Sequence, residues 1–205
     1  MCTTETNKGE SILLRSYKMP GHAMPVSLKA SQRGVIENMS ISVAARATSA
    51  APTYLPEVLY NKLRFWDGGL LNNNPINQLW NARYDLVSHS DPAPPVSCVL
   101  SIGTSWSTAT SWSTFRLMNT VTTAASFVTN TEAKDVDFHR LINRLRGRPG
   151  PEQNVNYFRF NAPTGKESFN LDDYRKMPRL VTLTTEWVKK PEIAQKIREC
   201  AESLL

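Results

Sequence analysis

The stretch from Phe65 to Pro75, FWDGGLLNNNP, restricts the fold more than any other part of this chain. An aromatic pair, Phe65 and Trp66, carries one carboxylate, Asp67, straight into two glycines. That order is expected of a short buried strand ending at a tight turn. Gly68 and Gly69 permit positive φ and let another group approach closely. Asp67 is then held at a strand end, where open α/β sheets bind ligands. Asn72, Asn73 and Asn74 are residues that cap and turn, and Pro75 suits the opening of a new helix.

Around this turn the chain reads as alternating strands and helices. Ser11–Tyr17 is a strand with a run, Ile12-Leu13-Leu14, suited to burial on both faces. Thr6–Glu10 precedes it as a turn, with Cys2-Thr3-Thr4 ending an earlier strand. Pro20, Gly21 and Pro25 mark a loop. Ile36–Ser49 is alanine-rich enough for one helix, capped by Asn38 or Ser40, and Arg46 on its small-residue face calls for a nearby carboxylate. Pro75–Val87 has apolar residues Ile76, Leu79, Trp80 and Tyr84 at helical spacing. Val96–Ile102 is a buried strand ending at Gly103, and Val155–Phe160 is another. A helix between apolar strands is a βαβ pattern and predicts a mainly parallel sheet containing Ser11–Tyr17, Arg64–Asp67, Val96–Ile102 and Val155–Phe160.

Further along, Thr104–Thr114 is a surface loop or lid whose Trp106 and Trp112 suit either packing or a lipid interface. Phe115–Arg148 reads as largely helical, with a break near Asn130. Its Arg140, Arg144 and Arg148 form a basic stripe, read as a solvated helix face or as a contact for anionic headgroups. Asp172–Met177, Pro178–Val188 and the segment from Pro191 complete the helices. One domain, 1–205, is expected.

Composition narrows the function classes. A net charge of +6 favours anionic surfaces. No helix-turn-helix, zinc or aromatic RNA-binding pattern accompanies it, so no nucleic-acid partner is expected. No apolar run approaches the roughly 20 residues of a membrane span, and Cys2–Ser11 is too polar for a signal peptide. Cys2, Cys98 and Cys200 are too few and scattered for a zinc site or disulfide framework. No metal or cofactor is expected, and reduced thiols suggest a cytoplasmic protein.

Four segments together resemble the patatin-like phospholipase family: Arg15-Ser16-Tyr17, the small-residue run Ala44–Pro56 (AARATSAAPTYLP), Asp67-Gly68-Gly69 with Asn-Asn-Pro after it, and Leu100–Thr104 (LSIGT). The resemblance implies a three-layer α/β fold with a mainly parallel central sheet. It implies lipid acyl hydrolysis of the phospholipase A or acylglycerol esterase type, in lipid catabolism, by a Ser-Asp dyad in which Asp67 is the proton acceptor. Lipid or phospholipid is the implied substrate, with peripheral contact at membranes.

The nucleophile of such an enzyme sits on a Gly-x-Ser-x-Gly elbow. No such pentapeptide occurs among the 205 residues; the nearest approach, Gly103-Thr104-Ser105-Trp106-Ser107, ends in serine. That stretch falls on the family's later Ser-Ile-Gly-Thr segment, so Ser105 is not expected to be the nucleophile. The glycine-rich oxyanion loop is missing as well. His22, His89 and His139 have no motif around them and are expected on the surface or in packing. The expectation is therefore the C-terminal portion of a patatin-like domain, truncated at its N-terminal side, with further domains in a longer parent. The alternative is an inactive module that binds lipid or a protein partner.

Overall fold

The computed structural model describes residues 1–18, 30–87, 91, 94–107, 131–150, 152–167, 169 and 172–205. The expected loop at Pro20–Pro25, His22, His89, Trp112 and the 115–130 part of the long helix lie outside them. The chain divides into two compact units, Met1–Pro94 with Phe115–Val136 and Pro95–Thr114 with Asp137–Leu205. The architecture is mixed α/β with a small parallel sheet.

In the first unit, β1 (Cys2–Glu5), β2 (Glu10–Leu13), β3 (Val58–Tyr60) and β4 (Leu63–Asp67) form a sheet of order β2-β1-β4-β3. All three pairings are antiparallel. This corrects the expectation that Ser11–Tyr17 and Arg64–Asp67 join a parallel sheet with Val96–Ile102. For β1 with β2 and for β3 with β4 the reason is connection length. Strands joined by a few residues can only return antiparallel, whereas a parallel return needs a crossover of a dozen or more. Four residues, Thr6–Gly9, join β1 to β2, and the buried Glu5 carboxylate organises them. It accepts from Asn7 N (3.2 Å), Asn7 Nδ2 (2.7 Å) and Lys8 N (3.0 Å). Asn61 and Lys62 alone join β3 to β4, with φ of 48° and 68°, the positive values a tight two-residue hairpin requires.

Alternation along β4 places Leu63 and Phe65 inward and Arg64 and Trp66 outward. Phe65, fully buried, packs with Ile12, Leu14, Ile36, Ala44 and Ala47. Burial of such a phenyl ring is worth about 3 kcal/mol. The expected single helix Ile36–Ser49 is two helices, α1 (Ala30–Glu37) and α2 (Ile41–Thr48). Asn38 closes α1 by donating from N (3.1 Å) and Nδ2 (2.7 Å) to the Gly34 carbonyl. Ser40 then caps α2, its Oγ accepting from Val43 N at 3.3 Å. Among the described residues Arg46 meets no carboxylate; its Nη2 donates to the Pro56 carbonyl at 2.7 Å. The helices α3 (Gly69–Asn72) and α4 (Ile76–Ala82) follow β4, and a 3-10 turn at Arg83–Leu86 extends α4.

In the second unit, β5 (Cys98–Ile102) and β6 (Asn156–Phe160) pair in parallel, from Cys98 beside Asn156 to Ile102 beside Phe160. Here the sequence between the strands is long enough for a crossover, and it includes α5 (Thr131–Arg146), of which Asp137–Arg146 belong to this unit. Phe138 and Ile142 of α5 are buried, and Phe138 meets Tyr157 edge-on at 4.9 Å. His139 is exposed and lies edge-on 6.0 Å from Tyr157, a packing contact as expected. The basic stripe is partly tied to protein. Arg140 pairs with Asp137, and Arg146, beside the stripe, donates to the Val155 carbonyl at 3.2 Å. A 3-10 turn (Tyr174–Lys176), α6 (Met177–Val188) and α7 (Pro191–Glu202) complete this unit.

Candidate active site

Asp67 is the last residue of β4, where the chain leaves the sheet for α3. Its backbone is held on three sides. Asp67 N donates to the Ala50 carbonyl (3.0 Å), its carbonyl accepts from Thr4 Oγ1 (3.0 Å), and Gly68 N donates to the Thr48 carbonyl (3.3 Å). The carboxylate turns back over the bend, and its Oδ1 accepts from Gly69 N at 2.6 Å. Oδ2 has no hydrogen-bond partner among the described residues. A carboxylate held by one oxygen keeps the lone pairs of the other available for a further donor.

The two glycines are required for a different reason than expected. Gly68 has φ −64° and ψ −25°, ordinary right-handed backbone, and positive φ is found at neither Gly68 nor Gly69. What Gly68 provides is room. A Cβ there would stand 2.1 Å from the Cys2 carbonyl oxygen, an impossible contact. That carbonyl is fixed by β1 and accepts a short hydrogen bond from Thr48 Oγ1. At Gly69 a Cβ would lie 3.1 Å from Asp67 Oδ1.

Asp67, Gly68 and Gly69 line a cavity of about 630 Å³ within the first unit. Its other walls include Cys2, Leu14, Arg15, Ser16, Thr48 and Leu79. Asn72 and Asn73 line it as well, Asn73 as the C-cap residue of α3. Asn72 Nδ2 donates to Ser11 Oγ at 2.5 Å, and the buried Asn74 donates to the Thr131 carbonyl at 3.2 Å. Lys134 donates to the Leu71 carbonyl, and burial lowers its pKa below the ordinary lysine value.

A second polar group on the cavity wall could not be read from local pattern. Arg15 Nε donates to Asp85 Oδ2 at 2.5 Å, with side chains 8% and 4% exposed. Tyr17 donates to the same oxygen at 2.9 Å. Burial first, and then this hydrogen bond, raises the Tyr17 phenol above 10.0. Seventy residues separate Arg15 from Asp85, and no spacing rule links them. Cys2 was missed for the same reason. Only the register, Thr3 opposite Asp67, brings Cys2 beside Gly68.

Ser105 belongs to the second unit. It follows β5 with φ 135°, and its N–H donates to Asn161 Oδ1 at 2.9 Å. Nearby Gly103 is needed for close approach, since a Cβ there would stand 2.2 Å from the same Oδ1. Among the described residues no cluster of three or more His, Cys, Asp or Glu could hold a metal ion. No described helix is long and apolar enough to cross a membrane.

The site thus combines a strand-end Asp-Gly-Gly turn, a capped small-residue helix before it and an open cavity beside the carboxylate. Residues 26–80, which include α2, β4 and Asp67, match the family model of the patatin-like phospholipases. Among particular proteins it is similar to human calcium-independent phospholipase A2-gamma, 30% identical over 175 residues and 78% of this chain. The Oryctolagus cuniculus protein of the same name is 29% identical over 170 residues, again 78% of this chain. The chain spans 19% of the length of each of these relatives.

Proposed function

We propose that these residues form the acid-bearing, C-terminal portion of a patatin-like lipid acyl hydrolase, with Asp67 as the general base of a Ser-Asp dyad. The observation that carries the reading is the Asp67 carboxylate. It sits at a strand end inside the matched segment, held through Oδ1 by Gly69 N, with Oδ2 unengaged beside a 630 Å³ cavity. The relatives' name, phospholipase, supports a lipid substrate. The setting is a lipid surface reached from the cytoplasm, in catabolism of phospholipid or acylglycerol.

In this mechanism Asp67 Oδ2 accepts the proton of a serine hydroxyl as the oxygen attacks an ester carbonyl. The acyl group passes to serine and the alcohol leaves with a proton. Asp67 next takes a proton from water, whose oxygen attacks the acyl-serine and releases the fatty acid. The serine and the oxyanion donors are supplied by a Gly-x-Ser-x-Gly elbow and a glycine-rich loop that these 205 residues do not contain. An inactive lipid-binding or partner-binding module is the second reading, and the missing pentapeptide is what favours it.

The test is Asp67→Asn in a polypeptide that also carries the elbow. Asparagine keeps the shape and can still accept from Gly69 N, so the melting curve should be unchanged. It cannot take the serine proton, so kcat/KM for phospholipid hydrolysis should fall by about four orders of magnitude. Turnover retained within about tenfold would reduce Asp67 to a turn-forming residue.

A further inference from the structure

An arginine is fixed in the wall of the Asp67 cavity. Strands β2 and β4 flank β1 and, both being antiparallel to it, run in the same direction. Asp67 ends β4, and Arg15 follows the end of β2 by two residues, so both leave the sheet at one end. Two strand spacings, about 10 Å, separate these strands, and both residues line the same 630 Å³ cavity. The Arg15 side chain is only 8% exposed. Its Nε donates to Asp85 Oδ2 at 2.5 Å and its Nη1 to the Leu13 carbonyl at 3.1 Å. Tyr17 gives its own proton to the same Asp85 oxygen at 2.9 Å. Of the ion pair, Arg15 lines the cavity and Asp85 does not. Among the described residues Nη2 donates to no carbonyl or carboxylate. A guanidinium has five N–H donors in a fixed fork, so Nη2 is left for a group that enters the cavity. The wall around it is mixed, with Leu14, Leu79 and Ala82 apolar and Ser16 and Gln78 polar.

We propose that Arg15 selects the substrate of this site, its Nη2 donating to a phosphodiester oxygen of a glycerophospholipid whose acyl ester faces Asp67. The proposal rests on the reading of Asp67 for its chemistry, and it narrows phospholipid or acylglycerol to phosphate-bearing esters. Arginine suits the task because its planar fork holds a carboxylate with one edge and phosphate oxygens with another. Among the described residues Arg15 pairs with Asp85 and not with Asp67, so the cavity presents a cation and a carboxylate at separate places. A phosphodiester is drawn to the first and repelled by the second, which directs the neutral ester toward the base. A neutral acylglycerol gains nothing from the guanidinium and leaves Nη2 without an acceptor.

The experiment measures binding to the 205-residue chain by calorimetry, so it does not depend on catalysis by Asp67. The probes are dihexanoylphosphatidylcholine below its micelle concentration, dihexanoylglycerol and inorganic phosphate. The phospholipid should bind about tenfold more tightly than either of the others, the factor that one charge-assisted hydrogen bond supplies. Arg15→Lys keeps the charge and the pairing with Asp85 but not the fork, and should lose the preference for phospholipid over the glyceride. Arg15→Gln combined with Asp85→Asn leaves no buried charge unpaired and should lose it too; circular dichroism shows that each variant is folded. The proposal is overturned if the wild type binds phospholipid and dihexanoylglycerol equally, or binds no phospholipid. It is equally overturned if the preference survives in a folded variant, or if inorganic phosphate binds as tightly as the phospholipid. Activity that survives Asp67→Asn would overturn the dyad without moving this preference, so the two failures are distinguishable.

Discussion

A methyl group on Gly68 would stand 2.1 Å from the Cys2 carbonyl oxygen, while one on Gly69 would stand 3.1 Å from a carboxylate oxygen. The first neighbour is backbone paired into a sheet, and the second is the end of a side chain that can move. Gly68→Ala should therefore cost about 2 kcal/mol by overpacking, although φ −64° suits alanine. Gly69→Ala lies in a helical turn, where alanine is favoured by up to about 1 kcal/mol, and should be near neutral in urea unfolding. A larger loss at Gly69 would show that the turn, rather than the Cys2 contact, sets the limit. The residue types were legible in the sequence here, but the reason for them was not. A glycine needed for space and a glycine needed for positive φ look identical until the neighbouring strand is known. Tyr17 gives a second residue-level expectation. Its folded pKa lies above the 10.0 of the unfolded chain, so the folded state holds this proton longer. The contribution is fully present below about pH 10 and is lost as pH rises through the folded value. The stability difference between wild type and Tyr17→Phe should be constant up to about pH 10 and shrink above it. A difference that grows with alkalinity would mean that Asp85 does not hold the phenol proton.

At the scale of elements, what could be read was set by how local each determinant is. Strand and helix positions follow from alternation and capping, and β4, β5, β6, α6 and α7 lie close to where the sequence puts them. Strand direction depends on which connections are short, and that was the misreading for β1, β2 and β4. Asn61-Lys62 is the clearest case, because nothing in that pair carries the usual glycine of a two-residue hairpin. The structure nevertheless places both at positive φ, 48° and 68°. Asparagine tolerates this region, whereas lysine there is strained by about 1 kcal/mol. Lys62→Gly should thus stabilise the first unit, the relief of strain offsetting the extra freedom of glycine in the unfolded chain, with a net gain below about 1 kcal/mol. A destabilising result in thermal melts would mean that the Lys62 side chain makes a contact worth more than the strain. The split of Ile36–Ser49 into α1 and α2 was half legible, since Ser40 is recognisable as a cap. The Asn38 bonds to Gly34 that end α1 are not visible in a propensity pattern.

For the whole molecule, catalysis is a property of a constellation, and the proposed one needs a Gly-x-Ser-x-Gly elbow that the 205 residues do not contain. Hydroxyls near Asp67 are the natural place to look for a substitute nucleophile. Thr48 Oγ1 lines the same cavity but is committed to the Cys2 carbonyl. Ser16 also lines it, on the stretch after β2, without the strand-to-helix elbow that exposes a nucleophile and orients an oxyanion hole. Ser105 belongs to the other unit, where its N–H donates to Asn161 Oδ1. On the proposed reading, a carboxylate with neither a nucleophilic serine nor oxyanion donors can at most order a water, and binding alone leaves a small residual acceleration. The 205-residue chain should therefore hydrolyse p-nitrophenyl esters no faster than buffer with an equal concentration of a non-catalytic protein. The measurement is made on folded, monodisperse chain, with Asp67→Asn alongside to show whether any trace activity depends on the carboxylate. If turnover well above that background appears and vanishes in Ser105→Ala or Ser16→Ala, that serine is the nucleophile and the site is complete in this chain. If it survives both substitutions and vanishes in Asp67→Asn, the carboxylate activates water directly and the Ser-Asp dyad is not the mechanism.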